Sequence, residues 1–391
     1  MTYKPALSTS ELFAAAAATK LAAAGARERA EHAPYSAAVI ADSGFRGPAF
    51  EASAARLASY NAALAASAVR LEQASVALLA AAGLQQQLDE AAEFIGVTAH
   101  SRVVLWLNGM SMMLDLRLSR TLLGAAGKEQ DYDPLFDHPD ESFESLHARH
   151  AQTVPASTMA AVEDAGGVIL EAGPTATTVL VGDAVDPSRV ITMVAGATTG
   201  TPSKLPGELE KAQMLSEKTG AAVVVWQGYA PPPLLTDAAS PHRAHAGADD
   251  LAMFQAALEE RFPDAQKTVV SHSYGTLLAT KAAHQHGLLA DDLWILGSAG
   301  VSGEHVSKLT LAGPEAPVHV VDSPEDPILL LRSGPTAAIG SSPSYIGWGG
   351  ERGLGIQGRA HRLLHRPHIS VCFTTALGPS CVKVVTMAHV E

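Results

Sequence analysis

The chain has 391 residues, of which 47% are hydrophobic, and carries a formal net charge of −13 at pH 7. This length predicts two domains, and the apolar fraction supplies a sizeable core and excludes a disordered composition. The acidic balance argues against nucleic acid and against an anionic membrane surface as the main partner. The two cysteines, Cys372 and Cys381, form neither a disulfide framework nor a zinc-ligand spacing, so we expect no metal or other cofactor.

Residues 1–127 are predicted to form an α-helical domain. A first helix begins near Ser8 or Ser10, either of which can cap it, and a break follows at residues 43–48. The second helix carries leucines at seven-residue spacing, which predicts a narrow seam that packs on a partner helix, within the chain or by self-association. These are Leu57, Leu64, Leu71 and Leu78, with Tyr60, Ala68 and Ser75 near the complementary positions.

A third helical stretch is predicted over roughly residues 97–123. Its most apolar window, residues 103–114, is too short to span a bilayer. The N-terminus shows no signal peptide. We therefore expect a soluble protein without a membrane span.

The first helix–turn–helix, about 80 residues long, resembles the WXG-type helical hairpins exported by type VII secretion systems. Phe45 stands where that family has its tryptophan, and Gly47 occupies the third position of the motif. The resemblance implies an interaction or export module. The alternative for the fold of this segment is a generic helical bundle. Because no signal peptide is seen, we expect a cytoplasmic protein; the alternative, which the resemblance implies, is export without a signal peptide.

Residues 128–160 are expected to be an exposed acidic linker between the two domains. Carboxylates are dense here and prolines interrupt the segment, which is typical of a solvated connection. These carboxylates and His138 could in principle hold a metal, but the segment lacks EF-hand spacing. A linker explains the composition better.

From residue 161 to 391 the pattern changes to short apolar strands that alternate with helices. Near-continuous apolar strands indicate a mostly parallel sheet buried on both faces, so we predict a doubly wound α/β domain. The predicted strands cover residues 168–170, 178–181, 190–194, 222–226, 268–270, 293–296 and 318–321, and helices are predicted over residues 208–219 and 247–261. The tail after about residue 353 has an atypical, basic and histidine-containing composition.

One short stretch, residues 271–275, has the layout of a nucleophile elbow. Ser273 lies between a β-branched strand and a helix, and the positions two before and two after it, Ser271 and Gly275, are both small. An elbow needs small residues there because the backbones pass closely around a strained serine. Ser273 is therefore the predicted nucleophile. The alternative is that Ser273 only caps a helix N-terminus.

The carboxyl ends of the other strands supply candidate partners for Ser273. One oxyanion amide is expected from Tyr274, the residue after the nucleophile, and the other from the small-residue loop after strand 190–194, at Ala197 or Thr198. A phosphate loop is excluded there because the loop has no Gly-Lys-Ser/Thr sequence. The turn after strand 318–321 carries three carboxylates downstream of the serine, as a Ser…Asp…His triad requires: Asp322, Glu325 and Asp326.

Several segments, taken in order, resemble an actinobacterial family of α/β-hydrolases of unknown function. They are residues 178–196, Val225-Trp-Gln-Gly-Tyr-Ala-Pro231, Ser271-His-Ser-Tyr-Gly275, Gly297-Ser298 and Asp326-Pro-Ile328. The resemblance covers about residues 165–350, although Ser271 replaces the family's first elbow glycine. It implies an α/β-hydrolase fold with Ser273 as nucleophile and Asp326 as triad acid, and makes Asp322 the runner-up.

The triad histidine is the least defined part of the site. His272 adjoins the nucleophile, but a side chain at that position points away from an elbow serine. The family's Gly-His-Ser segment is absent, and the tail offers His361, His365, His368 and His389. We favour His389 because it follows the last predicted strand, residues 369–374. The alternative is a tail read in a shifted frame from about residue 353, which would remove the histidine.

Together these features predict a serine hydrolase that cleaves an ester, thioester or amide through an acyl-enzyme. The partner would be a small-molecule or acyl substrate. The alternative is a catalytically degenerate hydrolase-fold protein that acts through its helical N-terminal module.

Overall fold

The computed structural model describes residues 3–42, 44, 47–95, 101–125, 132–173, 176–196, 200–229, 242–313, 315–322, 332–337, 339–352, 369–375 and 378–384. The chain divides into an α-helical unit, residues 2–98 and 110–130, and an α/β unit, residues 99–109 and 131–391. The division near residue 130 lies close to the boundary expected from the sequence. Residues 99–109, however, belong to the α/β unit although they continue into the third helix.

The helical unit is built on a long hairpin of α1 (Thr9–Asp42) and α2 (Pro48–Ile95), and the later part of α3 (Ser101–Ala125) packs on it. One series of buried and partly buried positions on α2 recurs every three or four residues, which is the spacing of a coiled-coil seam. This series is Ala54, Leu57, Asn61, Leu64, Ala68, Leu71, Ser75, Leu78, Ala82 and Gln85.

The predicted leucine seam is thus confirmed, and its partner is α1 of the same chain. Ser75 donates a hydrogen bond to the Ala16 carbonyl oxygen at 2.9 Å, and Leu78 packs with Leu12. Tyr60 is a correction: its side chain is 68% exposed, and Asn61 takes the seam position. The leucines that motivated a self-association hypothesis are therefore used within the hairpin, and self-association stays a prediction.

Among the described helices, α2 alone is long and apolar enough to cross a membrane by length and composition. A core helix of a soluble protein passes the same test, so this is weak evidence for a span. Phe45, the aromatic residue of the WXG-type motif, lies outside the described residues.

The segment expected to be a linker differs from the expectation, because its described part folds onto the α/β unit. It contains α4 (Phe143–His150) and continues into α5 (Ala156–Asp164). Leu135, Phe136 and Leu146 are fully buried between its carboxylates. Burial of these apolar side chains outweighs the solvation of the charged residues around them, and residues 132–160 are therefore part of the α/β unit.

The main sheet has eight strands in the order β1-β2-β4-β3-β5-β6-β7-β8. β2 is antiparallel to both of its neighbours, and all the remaining pairs are parallel. The strands are β1 (Val168–Ala172), β2 (Thr177–Val181), β3 (Arg189–Val194), β4 (Ala222–Trp226), β5 (Gln266–His272), β6 (Asp292–Leu296), β7 (Val318–Val321) and β8 (Glu351–Arg352). All seven predicted strands are confirmed.

Helices cover the sheet, and its central strands are therefore buried on both faces. α6 (Leu205–Thr219), α7 (His242–Arg261) and α8 (Gly275–Gln285) include both helices predicted for this domain. Leu209, Ala212 and Leu215 of α6 pack on the sheet with Val223 and Val225 of β4. The apolar character of the strands on both faces is what requires this double covering.

The predicted last strand forms, but it does not join the main sheet. β9 (Ile369–Thr375) pairs only with β10 (Gly378–Val384), in a separate two-stranded sheet. The last strand of the main sheet is β8, which has only two residues and pairs with β7.

Candidate active site

Ser273 occupies the sharp turn between β5 and α8. Its backbone has φ = 51°, and it is the one non-glycine residue with positive φ in the described part of the chain. A left-handed conformation costs an L-residue about 1–2 kcal/mol, so the surrounding structure holds the serine there. The Ser273 N–H donates to the Leu296 carbonyl oxygen of β6 at 3.0 Å, which fixes the turn to the neighbouring strand.

Helix capping, the alternative role for Ser273, does not describe this turn. The residue that caps α8 is Tyr274, and its side chain makes no capping hydrogen bond. The Ser273 carbonyl oxygen instead accepts from Thr276 N at 3.1 Å and from Thr276 Oγ1 at 2.6 Å. The serine therefore contributes its backbone to the turn.

The two small residues that flank Ser273 are small for different reasons. A Cβ atom on Gly275 would lie 2.7 Å from the Ala195 carbonyl oxygen and 2.9 Å from the Val194 oxygen, so no side chain fits there. Ser271 is fully buried, and its hydroxyl donates to the Trp294 carbonyl oxygen at 2.9 Å. Serine is tolerated in place of the expected glycine because the adjacent strand satisfies its hydroxyl.

The loop after β3 lies directly against the nucleophile. A Cβ on Gly196 would come within 2.9 Å of the His272 carbonyl oxygen and 3.1 Å of Ser273 Cβ. Gly196, at the start of the loop expected to supply an oxyanion amide, thus lies against the elbow. Ala197 and Thr198 themselves lie outside the described residues.

Tyr274, the other expected oxyanion residue, stands at the N-terminal end of α8, where helix N–H groups lack intrahelical acceptors. Its side chain is fully buried, and its hydroxyl oxygen accepts from the Ala244 N–H of α7 at 3.1 Å. The residue after the nucleophile is therefore anchored by its ring, which holds the first turn of α8 in place.

Asp322, one of the three candidate triad acids, lies at the carboxyl end of β7 in an ion pair. Arg332 donates to both carboxylate oxygens, from Nη1 at 2.6 Å and from Nη2 at 2.9 Å, and the Ser344 hydroxyl donates to one of them. Arg332 also donates to the Ser298 carbonyl oxygen after β6. Glu325 and Asp326 lie outside the described residues.

The candidate histidines His361, His365, His368 and His389 also lie outside the described residues. The argument for His389 requires residues 369–374 to form the last strand of the main sheet. β9 instead pairs with β10 in a separate sheet, so this argument does not hold. In chain order, the first histidine after β8 is His361. Three described histidines have polar partners other than Ser273: His284 contacts Ser302, His286 contacts Asp249 and His319 contacts Glu351.

In the described ranges, no group of three His, Cys, Asp or Glu side chains could hold a metal ion. His138, considered as a ligand with the nearby carboxylates, instead contacts Asp133 at 2.6 Å and Glu141 at 3.1 Å. These contacts form an ion cluster on the segment before β1.

Residues 171–333 match a family model described as an alpha/beta hydrolase. The α/β unit therefore has an α/β-hydrolase fold. The match does not test the actinobacterial family or the WXG-type hairpin, and both resemblances stay predictions.

Solved structures similar to this chain include lipases and esterases. An open-form lipase is 19% identical, with 34% of this chain and 41% of the lipase covered and a TM-score of 0.25. A thermostable carboxyl esterase from Bacillus coagulans is 16% identical, with 32% and 40% covered and a TM-score of 0.25. A hyperthermophilic esterase from Pyrobaculum calidifontis is 12% identical, with 46% and 74% covered and a TM-score of 0.28.

The chain thus spans about two fifths of the length of the first two structures. No curated protein matches the sequence.

Proposed function

We propose that the protein is a serine hydrolase that cleaves an ester, thioester or amide through an acyl-enzyme on Ser273. The observation that carries the proposal is the backbone of Ser273, a non-glycine residue with φ = 51° at a strand-to-helix turn. Strain of this kind persists only where the surrounding structure over-determines it, and it concentrates at functional sites. The tight approach of Gly196 and Gly275 to this turn supplies the over-determination.

The proposed reaction proceeds in two steps. Ser273 Oγ attacks the substrate carbonyl carbon while a histidine takes the hydroxyl proton, and the same histidine then protonates the leaving group. Water, activated by that histidine, hydrolyses the acyl-enzyme. The tetrahedral oxyanion is bound by the backbone N–H of Tyr274 and by an amide from Ala197 or Thr198.

Asp326 is the proposed acid that orients the histidine. What favours it over Asp322 is that both oxygens of the Asp322 carboxylate are bound by Arg332. Asp326→Asn should therefore lower kcat by two to four orders of magnitude, whereas Asp322→Asn should mainly lower the melting temperature. The reverse pattern would reassign the acid.

The histidine is proposed to follow β8 in the chain, and single substitutions to Gln at His361, His365, His368 and His389 can identify it. Loss of the base should lower kcat by about 10³-fold or more in one variant, and the other three should stay within about twofold of the wild type. If no variant loses activity while the wild type is active, a histidine from the tail is not the base.

Hydrolysis of matched p-nitrophenyl esters, thioesters and anilides of varied acyl length tests the proposal as a whole. We expect turnover by the wild type and by Ser307→Ala, whose serine lies in an exposed turn after β6. Ser273→Ala should lose at least about 10³-fold in kcat. Retention of full activity by Ser273→Ala would exclude the acyl-enzyme mechanism.

The competing proposal is a folded but catalytically degenerate hydrolase domain that acts through the helical unit. The leucine seam that favoured this alternative packs on α1 within the hairpin. A wild type that folds and hydrolyses none of the substrates would favour this alternative.

A further inference from the structure

Tyr229, which follows β4, contacts the loop beside the nucleophile. Its hydroxyl donates a hydrogen bond to the Ala195 carbonyl oxygen at 2.6 Å, and its side chain is 94% buried. Ala195 connects β3 to Gly196, and these two residues begin the loop that is proposed to supply an oxyanion amide. The hydrogen bond therefore joins the segments that follow the carboxyl ends of two neighbouring parallel strands, β3 and β4.

The Ala195 carbonyl group has little freedom in this arrangement. It lies between the Tyr229 hydroxyl and Gly275, where a Cβ atom would come within 2.7 Å of its oxygen. Because the peptide is planar, fixing this carbonyl also fixes the direction of the next N–H and the course of the chain through Gly196. Gly196 in turn abuts Ser273.

Tyr229 is itself rigidly held. Its ring stacks on Trp226 with centroids 5.8 Å apart and an interplanar angle of 13°. α7 passes so close that a Cβ on Gly247 would lie 2.7 Å from Tyr229 Cβ and 2.8 Å from Leu278 of α8. Burial, and then the neighbouring Tyr274 hydroxyl, raise the pKa of Tyr229 far above its usual range, so its hydroxyl keeps the proton that it donates.

We infer that Tyr229 is a positioning residue: its hydroxyl holds Ala195 and Gly196 against the elbow, and so directs the chain toward the residues proposed to supply the oxyanion amide. This inference rests on the proposed serine hydrolase function. It assigns to the Trp226–Tyr229 segment a role that its sequence alone did not indicate. In this role the hydroxyl acts through the Ala195 carbonyl group.

Tyr229→Phe isolates this role because it keeps the ring and its stacking and removes only the hydroxyl. The Ala195 carbonyl would lose its donor, and the loop amide would shift relative to the oxyanion. Removing one oxyanion donor outright costs about 10²–10³-fold in kcat, so displacing it should cost about 10–100-fold, with KM within about twofold. A peptidyl or alkyl boronic acid, which forms a tetrahedral adduct, should bind more weakly by the same factor.

Tyr132→Phe is the matched control. Its hydroxyl is also hydrogen-bonded, to the buried Glu171 at 2.8 Å, but Glu171 lies on β1, with β2, β4 and β3 between it and β5. We expect its kcat and its affinity for the boronic acid to match the wild type. A purely structural role of tyrosine hydroxyls would instead lower the melting temperature of both variants and leave kcat and boronic acid affinity equal.

Gly247→Ala provides a second variant, because it displaces the Tyr229 ring without removing the hydroxyl. It should show a smaller loss in kcat of the same kind. A wild-type kcat and boronic acid affinity in Tyr229→Phe would overturn the inference while leaving the proposed function intact. Absence of hydrolysis by the wild type would contradict the proposed function, and the inference with it.

Discussion

At the scale of single residues, the elbow depends on how closely backbones approach one another. Ser273 is held at positive φ, and Gly275 leaves no room for a Cβ atom beside Ala195. The serine and its small neighbours are encoded within five consecutive residues, so the sequence could predict them. Gly196 and Tyr229 could not be found in this way, because their roles come from contacts with residues tens of positions away.

The close approach at Gly275 can be tested by one methyl group. Gly275→Ala should lower the free energy of unfolding by about 1–3 kcal/mol, because the new Cβ meets two carbonyl oxygens, and it should also lower kcat. Gly207→Ala is the control: the position is in α6, and a Cβ there meets nothing within 4 Å. It should be neutral or stabilise by up to about 1 kcal/mol, since alanine favours helices. Equal effects in a denaturant titration would contradict this account of the elbow.

His319 predicts how stability changes with pH. Burial lowers the pKa of His319 in the folded state, although Glu351 and Asp292 act in the opposite direction. An unfolded histidine has a pKa near 6.5, so the unfolded state takes up a proton more readily than the folded state. The free energy of unfolding is therefore highest above about pH 6.5 and falls as the pH drops below it.

His319→Gln should reduce the loss of stability between pH 7.5 and pH 5.5. Burial lowers the pKa of His150 as well, so part of the pH dependence should remain. Denaturant titrations at the two pH values measure the difference. An unchanged loss in the variant would show that His319 does not contribute.

At the scale of elements, helices and strands with a repeated apolar pattern could be predicted from the sequence. A two-residue strand and the docking of a segment on a distant part of the chain could not. The leucine spacing of α2 and the apolar β3 and β4 each repeat one signal over many residues. β8 has two residues and therefore carries no recognisable pattern. The segment before β1 was misjudged because its carboxylates outnumber the three buried apolar residues that dock it.

The seam between α1 and α2 alternates leucines with small residues, and the small residues let the helices approach closely. Ala68 is 2% exposed in this seam, whereas Ala66 on the same helix is exposed. Ala68→Leu should overpack the seam and lower the free energy of unfolding of the helical unit by about 1–3 kcal/mol. Ala66→Leu should change it by less than about 0.5 kcal/mol. Thermal unfolding followed by circular dichroism compares them, and equal midpoints would show that the seam is not tightly packed.

At the scale of the whole molecule, the first residues of α3 are fixed to the α/β unit by a charged network. Arg102 pairs with Glu259 at 2.6 Å and with Asp291 at 2.6 Å, and Lys267 pairs with Glu259 at 2.7 Å. The Lys267 side chain is 1% exposed, so Glu259 compensates a buried charge. Nothing in the local sequence links residues this far apart, which is why the assignment of residues 99–109 to the α/β unit could not be predicted.

Glu259→Gln should destabilise the α/β unit by about 3–5 kcal/mol, because it removes the carboxylate that pairs with the buried Lys267. Glu208→Gln is the control, since its partner Lys211 has a side chain 23% exposed that water can solvate, and it should cost less than about 1 kcal/mol. Urea titrations of both variants give the two values. Comparable small losses would mean that the network does not stabilise the unit.

The central claim, that Ser273 is an activated nucleophile, is tested most directly by covalent labelling. A fluorophosphonate should add one adduct to the wild-type protein, seen as a single mass increase, and peptide mapping should place it on Ser273. Ser273→Ala should acquire no adduct under the same conditions. An unlabelled wild type beside a labelled control serine hydrolase, or an adduct that persists in Ser273→Ala, would contradict the claim.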